Sequence, residues 1–160
     1  MKIEYAIRTT YQWRNIVNHL ESVQTYLANL AVLFVKLHNV HWNVVGSQFL
    51  RIHTFTEELY DQIFEDYDEV AELLKTKGVM PLSTMKEYLG RATIEETAAK
   101  DFTSQQSLAL VKADLAAMRA LATEIRNGAD EAGDFETVAM FEDFVSFYSK
   151  NIWFVEAMKK

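Results

Sequence analysis

Apolar residues recur along this chain at alternating intervals of three and four residues, in four long segments. That interval places them on one side of a helix, because an α-helix completes a turn about every 3.6 residues. The pattern predicts one helix from about Ile16, a second from Ser47 to Lys77, and two more in the second half of the chain. The four predicted core stripes are Leu20, Val23, Leu27, Leu30, Phe34, Leu37 and His41; Ile52, Leu59, Ile63, Val70 and Leu74; Leu108, Val111, Leu115, Met118, Ala122 and Ile125; and Val138, Phe141, Val145, Tyr148, Ile152 and Val155.

Helix stop signals separate these segments. Gly46 followed by Ser47 predicts the end of the first helix and an N-cap for the second. Gly78, with Pro81 just beyond it, predicts the end of the second helix. Gly128 predicts the end of the third helix, and an acidic loop over residues 127–136 then leads to the fourth.

Two capping boxes predict where further helices begin. Thr84 with Glu87 starts a short helix that is expected to end at Gly90, and Thr103 with Gln106 starts the third long helix. The rest of the connection between helices 2 and 3 is expected to cross the end of the bundle. The chain is therefore predicted to be all-α: one domain over residues 1–160, a four-helix bundle with a short extra helix in that long connection.

Composition narrows the functional classes. The chain has no cysteine, which excludes disulfides, zinc fingers and thiol catalysis. A net charge of −7 disfavours broad electrostatic binding to nucleic acid and suits a protein that handles cations. The first ten residues have no apolar core, and no apolar run approaches the roughly 20 residues of a membrane span. We therefore expect a soluble, cytoplasmic protein.

The candidate chemistry lies in one stretch of the chain. It contains three of the four histidines and three spaced acidic residues: His38, His41, His53, Glu57, Asp68 and Glu72. Imidazole with carboxylate, in the absence of thiolate, is a ligand set for iron, manganese or zinc. Glu57 and Asp68 lie about 16 Å apart along the predicted second helix, so one metal ion cannot contact both within one chain.

The spacing of these residues is symmetric. If helix 2 packs antiparallel against a copy of itself, about a two-fold axis near residues 62 and 63, then His53 faces the partner's Glu72 and Glu57 faces the partner's Asp68. A turn at Gly46 would fold helix 1 back and return His41 to the first turns of helix 2. Two identical sites result, each with His41, His53 and Glu57 from one chain and the partner's Asp68 and the partner's Glu72.

The run HNVHWNVVGSQFLRIHTFTEELYDQIFEDYDEVAE closely resembles the signature of Dps proteins, the miniferritins. That signature is a His-Trp pair, a Gly, a Phe, a second His, an acid four residues later, and then Asp and Glu at helical spacing. The helix pattern and the late Ile152–Trp153 pair extend the resemblance over nearly the whole chain. It implies a ferritin-like bundle, a ferroxidase site across a two-fold subunit interface, and a dodecamer that stores ferric mineral in a hollow core.

The resemblance also implies residue roles. Iron is the expected metal and hydrogen peroxide the preferred oxidant. Zinc or manganese could substitute, because imidazole and carboxylate ligands suit them as well. The implied interfacial ligands are His41, His53, Glu57, Asp68 and Glu72. Glu57 departs from the family, which usually has Asp there, so the carboxylate is carried on one extra methylene. Trp42 corresponds to a tryptophan that takes up oxidising equivalents, with a core aromatic as the alternative.

Several alternatives stay open at this stage. Asp130 and Asp134 correspond in part to the family's pore acids, although acids at a helix start are also common in ordinary turns. His38 is expected to be a surface residue rather than a spare ligand.

A nucleoid DNA-binding protein and a structural shell whose metal site is impaired by Glu57 are the rival functions. No Glu-x-x-His occurs in the chain, which disfavours a di-iron site inside one bundle.

Overall fold

The computed structural model describes the backbone of residues 2–160 and the side chains of residues 19–160. Four long helices form an antiparallel bundle, which confirms the predicted architecture. The elements are α1 (Lys2–Asn43), β1 (Val44–Val45), α2 (Phe49–Thr76), α3 (Met85–Arg91), β2 (Phe102–Thr103), α4 (Ser104–Ala132) and α5 (Phe135–Met158). Helix α3 is the short extra helix of the α2–α4 connection. No helix within the described residues is both long enough and apolar enough to cross a bilayer.

The core of the bundle is built from the predicted stripes. Every predicted stripe residue of α2 and α4 is buried. In α5 the buried stripe residues alternate with half-buried ones such as Val145, and in α1 only Leu20 and Phe34 of the stripe are half-buried. At the centre, the hydroxyl groups of Tyr26 and Tyr148 share a 2.7 Å hydrogen bond, and the Tyr26 ring packs edge-on against Phe141. Pairing the two hydroxyls satisfies polar groups that would otherwise destabilise a dry core.

The α1–α2 hairpin ends α1 and directs the chain back along it. Gly46 has a φ of 109°, a left-handed conformation that glycine adopts without steric strain, and its carbonyl accepts a 3.0 Å hydrogen bond from the Phe49 amide. Because of this turn, α2 begins only at Phe49, so Ser47 is not the N-cap. Gln48 holds that position without a side-chain cap.

A two-residue parallel strand pair was not predicted. Val44 pairs with Phe102 and Val45 with Thr103, which joins the end of α1 to the start of α4. Both predicted capping boxes are confirmed, and the Thr103 box starts α4 directly after this pair. The pair therefore fixes the end of α1, where the first candidate ligand lies.

Two predicted helix boundaries are wrong because the signals used for them were incomplete. Helix α1 begins at Lys2 rather than near Ile16, and no glycine or proline precedes Gly46 to interrupt it. Helix α3 passes through Gly90 and ends at Arg91.

The predicted stop at Gly128 is also wrong. Helix α4 continues to Ala132 and ends at Gly133, which has a φ of 73°. At Gly128 a side chain would come within 3.2 Å of the His19 Cβ, so the glycine serves the close approach of α1 to α4. The predicted acidic loop is consequently the last turn of α4, a tight turn and the start of α5.

The connection after α3 lies along α1, whereas it was expected to cross the end of the bundle. The Asn29 side chain accepts hydrogen bonds from the amides of Thr93 and Ile94, at 2.7 and 3.1 Å. The Asn39 amide group donates to the Thr97 carbonyl at 2.8 Å. These two asparagines hold an irregular segment against the helix that also carries His41.

Candidate metal centre

The structure brings His41, near the end of α1, against His53, in the first turns of α2. The two imidazole rings stack with their centroids 3.6 Å apart and an interplanar angle of 21°. His41 is buried, and His53 is half-buried. The predicted return of His41 to the start of the second helix is therefore confirmed.

Reciprocal hydrogen bonds fix both imidazoles. His41 Nδ1 lies 2.8 Å from the His53 carbonyl oxygen, and His53 Nδ1 lies 2.9 Å from the His41 carbonyl oxygen. A carbonyl oxygen can only accept, so each neutral ring carries its hydrogen on Nδ1. Each Nε2 then keeps its lone pair, which is the arrangement that a metal-binding histidine needs.

Thr56 supports this pair, and sequence patterns did not reveal it. Its hydroxyl lies 2.8 Å from the Ile52 carbonyl oxygen, 3.0 Å from the His53 carbonyl oxygen and 3.3 Å from His41 Nδ1. It is fully buried. The only signal in the sequence is its position three residues after His53, on the inner side of the helix, where threonine bonding back to the preceding turn is common.

The three acidic candidates lie on the outer face of the same helix. Glu57, Asp68 and Glu72 are exposed, and Phe64, between them, is 61% exposed. Because α2 is continuous from Phe49 to Thr76, one chain keeps Glu57 and Asp68 about 16 Å apart. No three His, Asp or Glu side chains among residues 19–160 of a single chain form a metal-binding cluster.

An aromatic cluster borders the histidine pair. The His38 ring stacks on Tyr60 at a centroid distance of 3.8 Å, and its Nδ1 donates to the Phe34 carbonyl at 2.8 Å. His38 is thus half-buried among rings rather than a plain surface residue. The Trp42 ring packs against His38 with the ring centroids 5.3 Å apart. Its side chain is 67% exposed, so Trp42 does not belong to the core of the chain.

Asp66 lies on the site helix but faces the bundle interior. It is 2% exposed; one carboxyl oxygen accepts a 2.8 Å hydrogen bond from Gln62, and the other has no partner within the described chain. Burial raises the pKa of this carboxyl to about 7. Asp66 therefore points away from the outer face on which Asp68 lies.

The two candidate pore acids make different contacts. Asp130 forms an exposed pair with Arg126, one turn away on α4. Asp134 caps α5, accepting hydrogen bonds from the amide and hydroxyl groups of Thr137, and it forms a 2.7 Å ion pair with Lys77. Its carboxylate, only 12% exposed, joins the end of α2 to the start of α5.

Replacing Asp134 by asparagine should lower stability in a pH-dependent way. Burial alone would raise the pKa of this carboxyl, but hydrogen bonds from Lys77, Thr137 and His19 outweigh burial and lower the pKa to about 2. The charged form therefore stabilises the fold above the unfolded pKa of about 4, and this contribution is lost as the pH falls through about 2. We expect Asp134→Asn to lose about 2 kcal/mol in urea unfolding at pH 7 and to approach the wild type near pH 2.

The matched control is Asp130→Asn, which neutralises the exposed carboxylate. Exposed ion pairs contribute less than about 1 kcal/mol, so little change is expected at any pH. Equal losses for the two variants at pH 7 would show that the buried ion pair of Asp134 has no special stabilising role.

Comparison with known proteins agrees with this architecture. A protein-family model described as a ferritin-like domain matches residues 20–160. A bundle of four long helices with one long crossover is the arrangement of ferritin-like folds. The helix arrangement and the family-model match together show that this is a ferritin-like protein.

Individual relatives narrow the class. Antigen TpF1 of Treponema pallidum is 33% identical over 147 residues, covering 92% of this chain and 83% of that protein. Its crystal structure matches with a TM-score of 0.89, covering 92% of this chain and 94% of that one. The DNA protection during starvation protein of Helicobacter pylori is 32% identical over 142 residues, covering 89% of this chain and 94% of that protein.

A further solved structure carries a description of its chemistry. The Dps protein of Vibrio cholerae O1, described as a member of a broad superfamily of ferritin-like diiron-carboxylate proteins, is 25% identical, with a TM-score of 0.86 and 92% of each chain covered. The present chain belongs to the Dps family.

Proposed function

We propose that this protein is a ferroxidase that oxidises ferrous iron at sites shared between two subunits. The observation that carries the proposal is the His41–His53 pair, in which both Nδ1 atoms are engaged and both Nε2 lone pairs remain for a metal. The pair lies at the start of the helix whose outer face carries three exposed carboxylates. Imidazole holds ferrous iron, and carboxylate favours the ferric product.

A two-fold axis near the middle of α2 would complete each site. An antiparallel α2 pair sets Glu57 opposite the partner's Asp68 and His53 opposite the partner's Glu72. Phe64, exposed near the middle of the helix, would be buried by the same contact. An apolar residue flanked by ligand-bearing positions is what such an interface requires.

The proposed reaction uses iron as substrate and hydrogen peroxide as oxidant. Two ferrous ions each give one electron, and peroxide with two protons accepts both and becomes two water molecules. Paired electron transfer avoids the single-electron step that would release a hydroxyl radical. Iron is the proposed metal, with zinc and manganese as competitors for the same ligands.

We further propose that two-fold dimers assemble into a hollow dodecamer in the cytoplasm, where ferric mineral collects. Family membership supports this assembly, and Asp130 is the better candidate for a cation path because its carboxylate is exposed. Removal of iron and peroxide protects DNA without contact, which suits the net charge of −7. Direct DNA binding is the alternative role.

Stopped-flow oxidation of ferrous iron by stoichiometric peroxide tests this function. The wild type should oxidise iron much faster than buffer, and Glu57→Asp, which keeps the charge on a shorter side chain, should do so as well. If the wild type matches buffer while Glu57→Asp does not, Glu57 has impaired the centre. If neither exceeds buffer, the ferroxidase proposal fails and a structural shell remains.

A further inference from the structure

Tyr60 is held between two histidine rings, one turn after Glu57 on α2. Its ring stacks on His38 at a centroid distance of 3.8 Å with an interplanar angle of 23°, and meets His41 edge-on at 5.2 Å. His38 is itself anchored through Nδ1 to the Phe34 carbonyl. The phenol ring therefore packs against both histidines beside the candidate metal centre.

The hydroxyl group of Tyr60 is a donor without a partner. Within residues 19–160 it makes no hydrogen bond, although the residue is half-buried. A phenol carries its proton at neutral pH, so this hydroxyl can donate a hydrogen bond, and the carboxylates of Glu57 and Asp61 both lie near it. Residues three apart on a helix are neighbours, so Glu57 and Tyr60 lie on the same side of α2.

Glu57 is the ligand candidate that most needs support. It is exposed, and it makes no hydrogen bond or ion pair with another side chain in the part of the chain that the structure describes. Its side chain has one more rotatable bond than aspartate, so a larger loss of conformational entropy accompanies its ordering on a metal ion. A neighbouring donor that hydrogen-bonds the metal-bound carboxylate would offset part of this loss.

We propose that Tyr60 is a positioning residue whose hydroxyl donates a hydrogen bond to the Glu57 carboxylate when a metal ion binds, and so orients the carboxylate toward the metal. His38 acts through its stacking contact, which fixes the tyrosine ring. This gives His38 a role that is neither ligand nor plain surface residue. The inference rests on the proposed function of the same site.

A double-mutant cycle on the full-length protein tests the role without relying on activity. The probe is Co²⁺, which suits imidazole and carboxylate ligands, followed by calorimetry and by its visible absorption. The variants are Tyr60→Phe, which removes only the hydroxyl, Glu57→Asp, and both together. We expect Tyr60→Phe to weaken Co²⁺ binding about tenfold, as is usual when a ligand loses its supporting hydrogen bond. In the Glu57→Asp background, Tyr60→Phe should change Co²⁺ affinity little, because the shorter aspartate lacks the extra rotatable bond of Glu57.

Asp61→Asn is the matched control, since Asp61 is the other carboxylate near the phenol. It should leave the affinity and the Co²⁺ spectrum unchanged. If Asp61→Asn weakens binding as much as Tyr60→Phe, the hydroxyl acts through Asp61 and the proposal is wrong.

The remaining outcomes separate this inference from the proposed function. If the wild type binds Co²⁺ and Tyr60→Phe binds it equally well, the positioning role is overturned while the site stands. If Tyr60→Phe causes equal losses in the wild-type and Glu57→Asp backgrounds, the tyrosine acts through ring packing alone, which also overturns the inference. If the wild type binds no Co²⁺, the site itself and the positioning role both fall.

Discussion

His53→Ala and Asp68→Ala are each expected to lose the acceleration of ferrous oxidation over buffer. His53 supplies one of the two Nε2 lone pairs of the histidine pair, and Asp68 supplies a carboxylate from the far half of the same helix. Loss of a direct ligand should exceed the roughly 10- to 100-fold effect of residues that only support a ligand. Stopped-flow absorbance of ferric product, with stoichiometric peroxide, measures the rate.

Mixing the two variants tests whether the site lies between subunits. In a dimer with one His53→Ala subunit and one Asp68→Ala subunit, one site has lost both residues, whereas the other site is intact. Random pairing after dissociation and reassembly should therefore restore activity to about a quarter of the wild-type sites. A site within one subunit would gain nothing from mixing.

Glu58→Ala is the control for removing an acid from this helix. Glu58 is adjacent to Glu57 but faces a groove lined by Phe55 and Trp153 on the side of α5. It should retain the wild-type rate. Retention of full activity in either ligand variant, or no recovery on mixing, would count against the interfacial ferroxidase site.

Phe141→Ala should be the most destabilising of the substitutions considered for the fold. Phe141 is fully buried on α5. The centroid of its ring lies 5.0 Å from that of Tyr26 and 5.3 Å from that of Phe144. Removing it leaves a cavity in a packed aromatic cluster, and such a change costs about 3–5 kcal/mol. Urea unfolding followed by circular dichroism, at one fixed protein concentration, measures the loss in free energy of unfolding.

The same helix offers a matched control in Phe135→Ala. Phe135 is 77% exposed at the first position of α5, so the identical chemical change should alter the free energy of unfolding by less than about 1 kcal/mol. A loss for Phe141→Ala no larger than that for Phe135→Ala would mean that Phe141 is not part of the stabilising core.

Sequence patterns predicted the helical core accurately because burial in a bundle repeats with the helical period. The stripes from Ile52 to Leu74 and from Leu108 to Ile125 are buried at every predicted position. Capping boxes at Thr84 and Thr103 were equally clear, since they depend on residues only three apart. Local signals of this kind need no knowledge of the rest of the chain.

Glycine was the least dependable signal of a helix end. Gly46 and Gly133 have positive φ at helix ends, whereas Gly128 lies inside α4 for close packing against His19. The same residue type serves both purposes, and only the position of the neighbouring helix distinguishes them. The connection along α1 was likewise unpredictable, because it depends on side-chain bonds from Asn29 and Asn39 to residues more than fifty positions away.

The sequence by itself determined the fold class, the family resemblance and the candidate ligands, because these follow from periodicity and from residue types at short, regular spacing. Only the tertiary structure decided how the candidate ligands are arranged. The α1–α2 hairpin stacks His41 on His53 and sets each Nδ1 against the other's carbonyl, and the bundle places Tyr60 between His38 and His41. These contacts join separate helices, so their distances and orientations depend on packing, which no local pattern encodes.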